Sequence, residues 1–113
     1  MIDKAKFAEN YKVFDKEIIE EIIELYIQEY PERMDEIRKN IQENDITHLL
    51  RNAHSLKGVT AHFFDPESVA QTIAFEQKCI TREIPDIEDA LEHLISSLDK
   101  LVFELRDLVN NYS

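Results

Sequence analysis

From Ile87 to Tyr112, apolar side chains recur strictly at spacings of four and three: Ile87, Leu91, Leu94, Leu98, Leu101, Leu105, Leu108 and Tyr112. That period lines all of them along one stripe of an α-helix, and no strand can present it. A long helix with one apolar stripe holds only when the stripe is covered, so the rest of the chain must supply partners of the same kind. Ile19, Ile23, Tyr26, Tyr30, Met34, Ile37 and Ile41 repeat at about 3.67 residues per step, the helical period. Pro31 falls inside this run without disturbing its phase. Two independent helices would have no reason to stay in register, so the run predicts one long kinked helix from about Asp15 to Glu43.

The remaining segments fit between these two. Asp3 can cap a short first helix carrying Phe7 and Tyr11, which would lid one end of the molecule. Asn44-Asp45 reads as a turn and cap for a third helix, from about Ile46 to Phe63, with the apolar line Ile46, Leu49, Ala53, Leu56, Thr60, Phe63. Asp65-Pro66-Glu67 supplies a cap, a proline at the first helical position and an acid in the first turn, so a fourth helix starts near Pro66. Its apolar line reads Val69, Ile73, Ile80, with Glu76 at the position where a hydrophobe is expected. Pro85-Asp86 then stops this helix and caps the last. With one glycine and three prolines in 113 residues the chain lacks the turn formers of a β protein. The expected fold is all-α: an up-down four-helix bundle with a short extra N-terminal helix, one domain over residues 1–113.

Charge and cysteine content exclude several function classes. A formal charge of −11 repels phosphate backbones and anionic lipid, so neither nucleic acid nor membrane is an expected partner. Cys79 is alone and reads as a small buried hydrophobe. There is no N-terminal signal pattern, and no apolar run approaches the roughly 20 residues of a membrane span. A soluble cytoplasmic chain is expected.

The chemistry concentrates in Ala53-His54-Ser55-Leu56-Lys57-Gly58. Residues three and four apart are neighbours on a helix, so His54, Lys57 and Gly58 share a patch, with Leu50 one turn before and Ala61 one turn after. His54 lies one step off the apolar line, packed yet reachable. Gly58 is the sole glycine, placed where a helix pays roughly 0.5–1 kcal/mol for it relative to alanine. A close helix contact would need it on the core line; on the His54 face it leaves room for a group on the ring or for a docking partner. In an antiparallel hairpin about Phe64-Asp65, His54 and Glu76 lie at similar distances from the turn. Glu76 could then accept a hydrogen bond from one imidazole nitrogen, fix the tautomer and leave the other nitrogen nucleophilic. Lys57 offers a cation to an anion on the ring. A nucleophilic imidazole with cleared space and a nearby cation suits transfer of an anionic group, phosphoryl above all. One glycine allows no P-loop, dinucleotide fingerprint or kinase-type loop, so the group must come from another protein. His48, His62 and His93 read as structural or surface residues. Metal binding on helices wants histidines at i and i+4, whereas His48, His54 and His62 are six and eight apart, so no metal site is expected.

This motif, in this helical layout, resembles the histidine-containing phosphotransfer (HPt) domains of two-component phosphorelays and chemotaxis kinases. The resemblance extends over nearly the whole chain, including the mid-helix proline and the Phe75-Glu76 pair. It implies a phosphocarrier without kinase activity of its own: His54 accepts a phosphoryl group from the aspartate of a receiver domain and passes it to another. Lys57 matches the lysine near the phosphoryl oxygens, Gly58 the small residue beside the ring, and Glu76 a position where some members hydrogen-bond the imidazole. Leu50, Arg51 and Ala61 would form part of the docking surface. The implied partners are response-regulator receiver domains and a sensor or hybrid histidine kinase. The receiver brings the magnesium, so no cofactor is expected on this chain, which is expected to be a monomer. One departure stands out. The family commonly has a glycine ten residues after the histidine, and this sequence has Phe64. The alternative function is a non-phosphorylatable helical adaptor that binds receiver or kinase domains.

Overall fold

The computed structural model describes residues 1–111, which form five α-helices, one 3₁₀ turn and no strand. The helices are α1 (Lys4–Tyr11), α2 (Lys16–Gln42), α3 (Ile46–Thr60), α4 (Pro66–Thr81) and α5 (Ile84–Asn111), with the 3₁₀ turn Ala61–Phe63 extending α3. Each of α2 to α4 packs on the next, and α2 packs on α5, closing a ring of four. α2 runs unbroken through Pro31, as its uninterrupted stripe predicts. Ile23, Ile37, Leu49, Leu56, Phe63, Phe75 and the α5 line from Ile87 to Leu105 fill the centre. Tyr112 of the predicted stripe lies outside the described residues.

Hydrogen bonds between side chains fix the heights at which the helices meet. Tyr26 Oη lies 3.0 Å from Thr60 Oγ1, Arg33 Nη1 donates to Ser55 Oγ at 3.1 Å, and Asn52 Nδ2 donates to Asn40 Oδ1 at 2.6 Å. Partner numbers on α3 fall as those on α2 rise, so the two helices are antiparallel. Ser68 Oγ sits 3.4 Å from Ser97 Oγ between α4 and α5, and Tyr30 Oη donates to Asp99 Oδ1 at 2.8 Å between α2 and α5. Among the described residues no buried side-chain polar atom is left without a partner. The buried pairs, Tyr26 with Thr60 and Ser68 with Ser97, specify register because a slip would strand a buried donor or acceptor.

Two sequence expectations need correction. On α4 the buried residues are Ser68, Thr72, Phe75 and Cys79. Ile73 and Ile80 are exposed, and Glu76 is at the rim. The line Val69, Ile73, Glu76, Ile80 is therefore a flank. Small polar residues occupy half of the true core line, because α4 approaches α5 closely enough for Ser68 and Ser97 to meet. Nor does Pro85-Asp86 stop α4 and cap α5. α4 ends at Arg82, which turns left-handed at φ 64° with its N–H on Cys79 O, and Pro85 and Asp86 already lie in the first turn of α5.

Among the described residues the left-handed ones are Asn44, Phe64 and Arg82, each just past a helix end, and none is glycine. The one glycine has no positive φ to adopt. Phe64 stands at φ 57° and ψ 39°, the left-handed region that favours glycine. Its aromatic ring packs against the core, its carbonyl accepts from Asp3 N at 2.7 Å, and the following Asp65 caps α4. Tyr11 Oη donates to His62 O at 2.9 Å, so α1 covers the α3–α4 turn. Burial pushes the Asp65 carboxyl up, but the Ser68 hydroxyl and the Met1 amino nitrogen more than offset this and hold it below the usual carboxylate range.

A side chain at φ 57° costs about 1 kcal/mol that glycine does not. Phe64→Ala keeps that cost and loses the ring; Phe64→Gly loses the ring but is relieved of the cost. Urea unfolding is expected to find both variants less stable than the parent, with Phe64→Gly the more stable of the two by about 1 kcal/mol, the reverse of the usual Gly–Ala order. Equal stabilities would contradict this account of the turn.

Candidate functional site

α3 presents its motif across the α3–α4 groove. Leu49, Ala53, Leu56 and Thr60 face the core, which turns His54 outward. The His54 side chain is 72% exposed, while Glu76 opposite it is 18% exposed. His54 Nδ1 lies 2.9 Å from Glu76 Oε2, and Lys57 Nζ donates to Glu76 Oε1 at 2.8 Å. An ionised carboxylate can only accept, so Nδ1 is the donor, and in the neutral ring the lone pair is then on Nε2. Glu76 is held ionised: the Lys57 ammonium lowers its carboxyl below the usual range, partial burial works against this, and the His54 contact lowers it further.

The structure thus brings together His54, Lys57 and Glu76. Gly58 lies exposed on the same face, and a Cβ built there meets no atom within 4 Å. No neighbouring helix needs its missing side chain. Of the expected docking residues, Leu50 is half-buried, and Arg51 and Ala61 are exposed. His48 is tied to its own cap, with Nδ1 2.7 Å from Asp45 Oδ2, and His93 Nδ1 contacts Asp89 O at 2.9 Å. Cys79 is fully buried, and burial pushes its thiol up to about 12. Among the described residues no group of three or more His, Cys, Asp or Glu could hold a metal ion.

Sequence reasoning missed the other flank of α3. An apolar groove of about 640 Å³ opens there, lined by Tyr11, Phe14, Ile22, Leu25, Val59 and His62 among others. Phe14 and Leu25 are exposed, as are Val13 and Ile18 nearby in sequence. The signal was present: Ile18, Ile22 and Leu25 recur at four and three beside the core line of α2. Arg33 also stands at this flank, its guanidinium on Ser55, the residue after His54.

Residues 21–111 match the family profile described as Hpt domain. No curated protein and no solved structure matches the sequence.

Removing the Glu76 carboxylate should free the imidazole. In Glu76→Ala, nitrogen NMR is expected to show the Nδ1–H tautomer of His54 giving way to a mixture, and an unchanged tautomer ratio would contradict the assigned role. The same carboxylate carries a pH signature. Its value is lowered on folding, so its contribution to stability is complete above about pH 4.3 and is lost as pH falls through the lower folded value. The stability gap between the parent and Glu76→Ala should therefore close on acidification below that range.

Proposed function

We propose, from the premise that this chain belongs to the Hpt domain family and so takes part in phosphorelay histidine phosphotransfer, that His54 carries the phosphoryl group between receiver aspartates. The observation that carries this reading is an exposed imidazole whose Nδ1 is held by a buried-side carboxylate. Nε2 attacks the phosphorus of an aspartyl phosphate. An N–P bond forms as the P–O bond to the receiver's carboxylate breaks, and the electron pair leaves with that carboxylate. The ring keeps its Nδ1 proton and becomes cationic; Glu76 offsets the new charge, as the carboxylate of a catalytic triad does for its imidazolium. Passing the group on is the reverse sequence with a second receiver.

Phosphoryl transfer passes through a loose transition state with charge on the equatorial oxygens, so positioning and cations do most of the catalysis. On this chain Lys57 supplies a cation beside the ring. The receiver supplies the magnesium and the chain no kinase activity. Gly58 leaves the space that the partner's active-site edge enters. The apolar groove on the α1–α2 flank, with Leu50, Arg51 and Ala61 about the ring, forms the surface on which receivers dock. Such a carrier works as a cytoplasmic monomer, one receiver at a time.

Incubation with a panel of phosphorylated receiver domains is expected to place acid-labile, base-stable phosphate on the protein and none on His54→Gln. Binding without label, across a panel that phosphorylates a known HPt domain, would favour the adaptor. A second test separates fold from function at Gly58. Gly58→Ala should raise stability by about 0.5–1 kcal/mol, because the added methyl meets nothing, while Gly58→Leu should slow phosphoryl uptake by at least about tenfold, through lost approach of a partner packed at interior density. Uptake at the parental rate in Gly58→Leu would show that the space is unused.

A further inference from the structure

The α2–α3 register brings a second cation to Ser55, the residue after the nucleophile. Tyr26 meets Thr60 and Asn40 meets Asn52, so Arg33, between them on α2, stands level with the His54 turn of α3. Its Nη1 donates to Ser55 Oγ at 3.1 Å and its Nη2 to Glu29 Oε2 at 3.1 Å. The side chain is 28% exposed, so it is held in place yet open to solvent. Glu76 and Lys57 approach His54 from the α4 side; Arg33 approaches from the α2 side. A guanidinium carries five N–H donors in a planar fork suited to phosphate oxygens, and the two bonds to Ser55 and Glu29 leave donors unspent.

We infer that Arg33 is a second phosphoryl-holding cation: once His54 is phosphorylated, the guanidinium turns from Ser55 to a phosphoryl oxygen while Glu29 keeps its stem in place. This rests on His54 being the phosphorylated residue. One ammonium leaves a dianionic group only partly offset, so a second cation adds to Lys57. Both are carboxylate-paired, Lys57 with Glu76 and Arg33 with Glu29, and it is the unspent donors of the guanidinium fork that suit Arg33 to the role. A receiver brings its own cations during transfer, but after it departs only this chain's residues hold the group. Arg33 therefore acts chiefly on the phosphorylated state. It sets how far transfer equilibrium lies toward His54 and how long the phosphohistidine lasts. The bond to Ser55 holds the guanidinium beforehand at the residue next to His54, which lowers the ordering cost of capture.

The test uses the whole chain and the receiver domain that labels it fastest, loaded with acetyl phosphate. Measured at equilibrium, Arg33→Ala is expected to shift phosphoryl back toward the receiver by about tenfold, the scale of one charge-assisted hydrogen bond, and to shorten the phosphohistidine half-life. Arg33→Lys should recover part of both. Ser55→Ala, which removes the α2–α3 hydrogen bond but keeps the guanidinium, should leave the equilibrium within about twofold. The guanidinium nitrogen signals of Arg33 should move on phosphorylation in both the parent and Ser55→Ala. If Arg33→Ala matches the parent, or Ser55→Ala reproduces its loss, Arg33 is an interhelical strut and the inference fails while the carrier stands. If the parent takes no label from a panel that phosphorylates a known HPt domain, the carrier reading fails, and this inference with it.

Discussion

Glu76 is the point at which the fold and the chemistry become one constraint. Its two carboxylate oxygens are each spoken for, one by His54 and one by Lys57. Both partners are on α3 and the acid is on α4, so this contact is also the polar register pin of that interface. The other neighbouring pairs in the ring carry pins of their own: Asn40 with Asn52, Ser68 with Ser97, and Tyr30 with Asp99. Where those pairs only hold helices at the right height, the α3–α4 pair also decides which ring nitrogen keeps the proton. The height itself is set at the hairpin, by the left-handed backbone of Phe64 and the cap from Asp65.

The scarcity of glycine sharpens this picture. Three helix ends turn left-handed on Asn44, Phe64 and Arg82, where glycine would be cheaper. The chain instead has its one glycine inside α3, at a position with no backbone need and no packing need. That inversion is hard to account for by folding alone. It follows directly if the empty volume beside His54 serves a molecule that is not always there. Under the proposed function the division of labour is consistent: this chain would offer an oriented nucleophile, cations and open space, and a receiver the rest of the catalytic apparatus.

Much of this was legible in the sequence, for reasons that differ between elements. The stripes of α2 and α5 are long and nearly all aliphatic or aromatic, so their period could be read directly, even across Pro31. α4 is shorter, and its core line contains Ser68 and Thr72; the eye follows Val69, Ile73 and Ile80 instead, which lie on its flank. Glu76 takes an apparent place in that misread line, whereas it stands at the rim; its pairing with His54 follows from the hairpin geometry, which does not depend on the line. Arg33 was invisible because nothing in a single sequence gives the height at which α2 meets α3. The apolar groove was passed over because Ile22 and Leu25 run beside a stronger stripe.

If Glu76 orients the imidazole through Nδ1, Nε2 alone is the nucleophile. The most direct measurement is the site of the N–P bond in the phosphorylated chain, read by nitrogen–phosphorus coupling with nitrogen-labelled histidine. The account predicts phosphate on Nε2 of His54, with Nδ1 still protonated against Glu76. Phosphate on Nδ1 would contradict it, since that nitrogen could attack only after the contact with Glu76 had been given up.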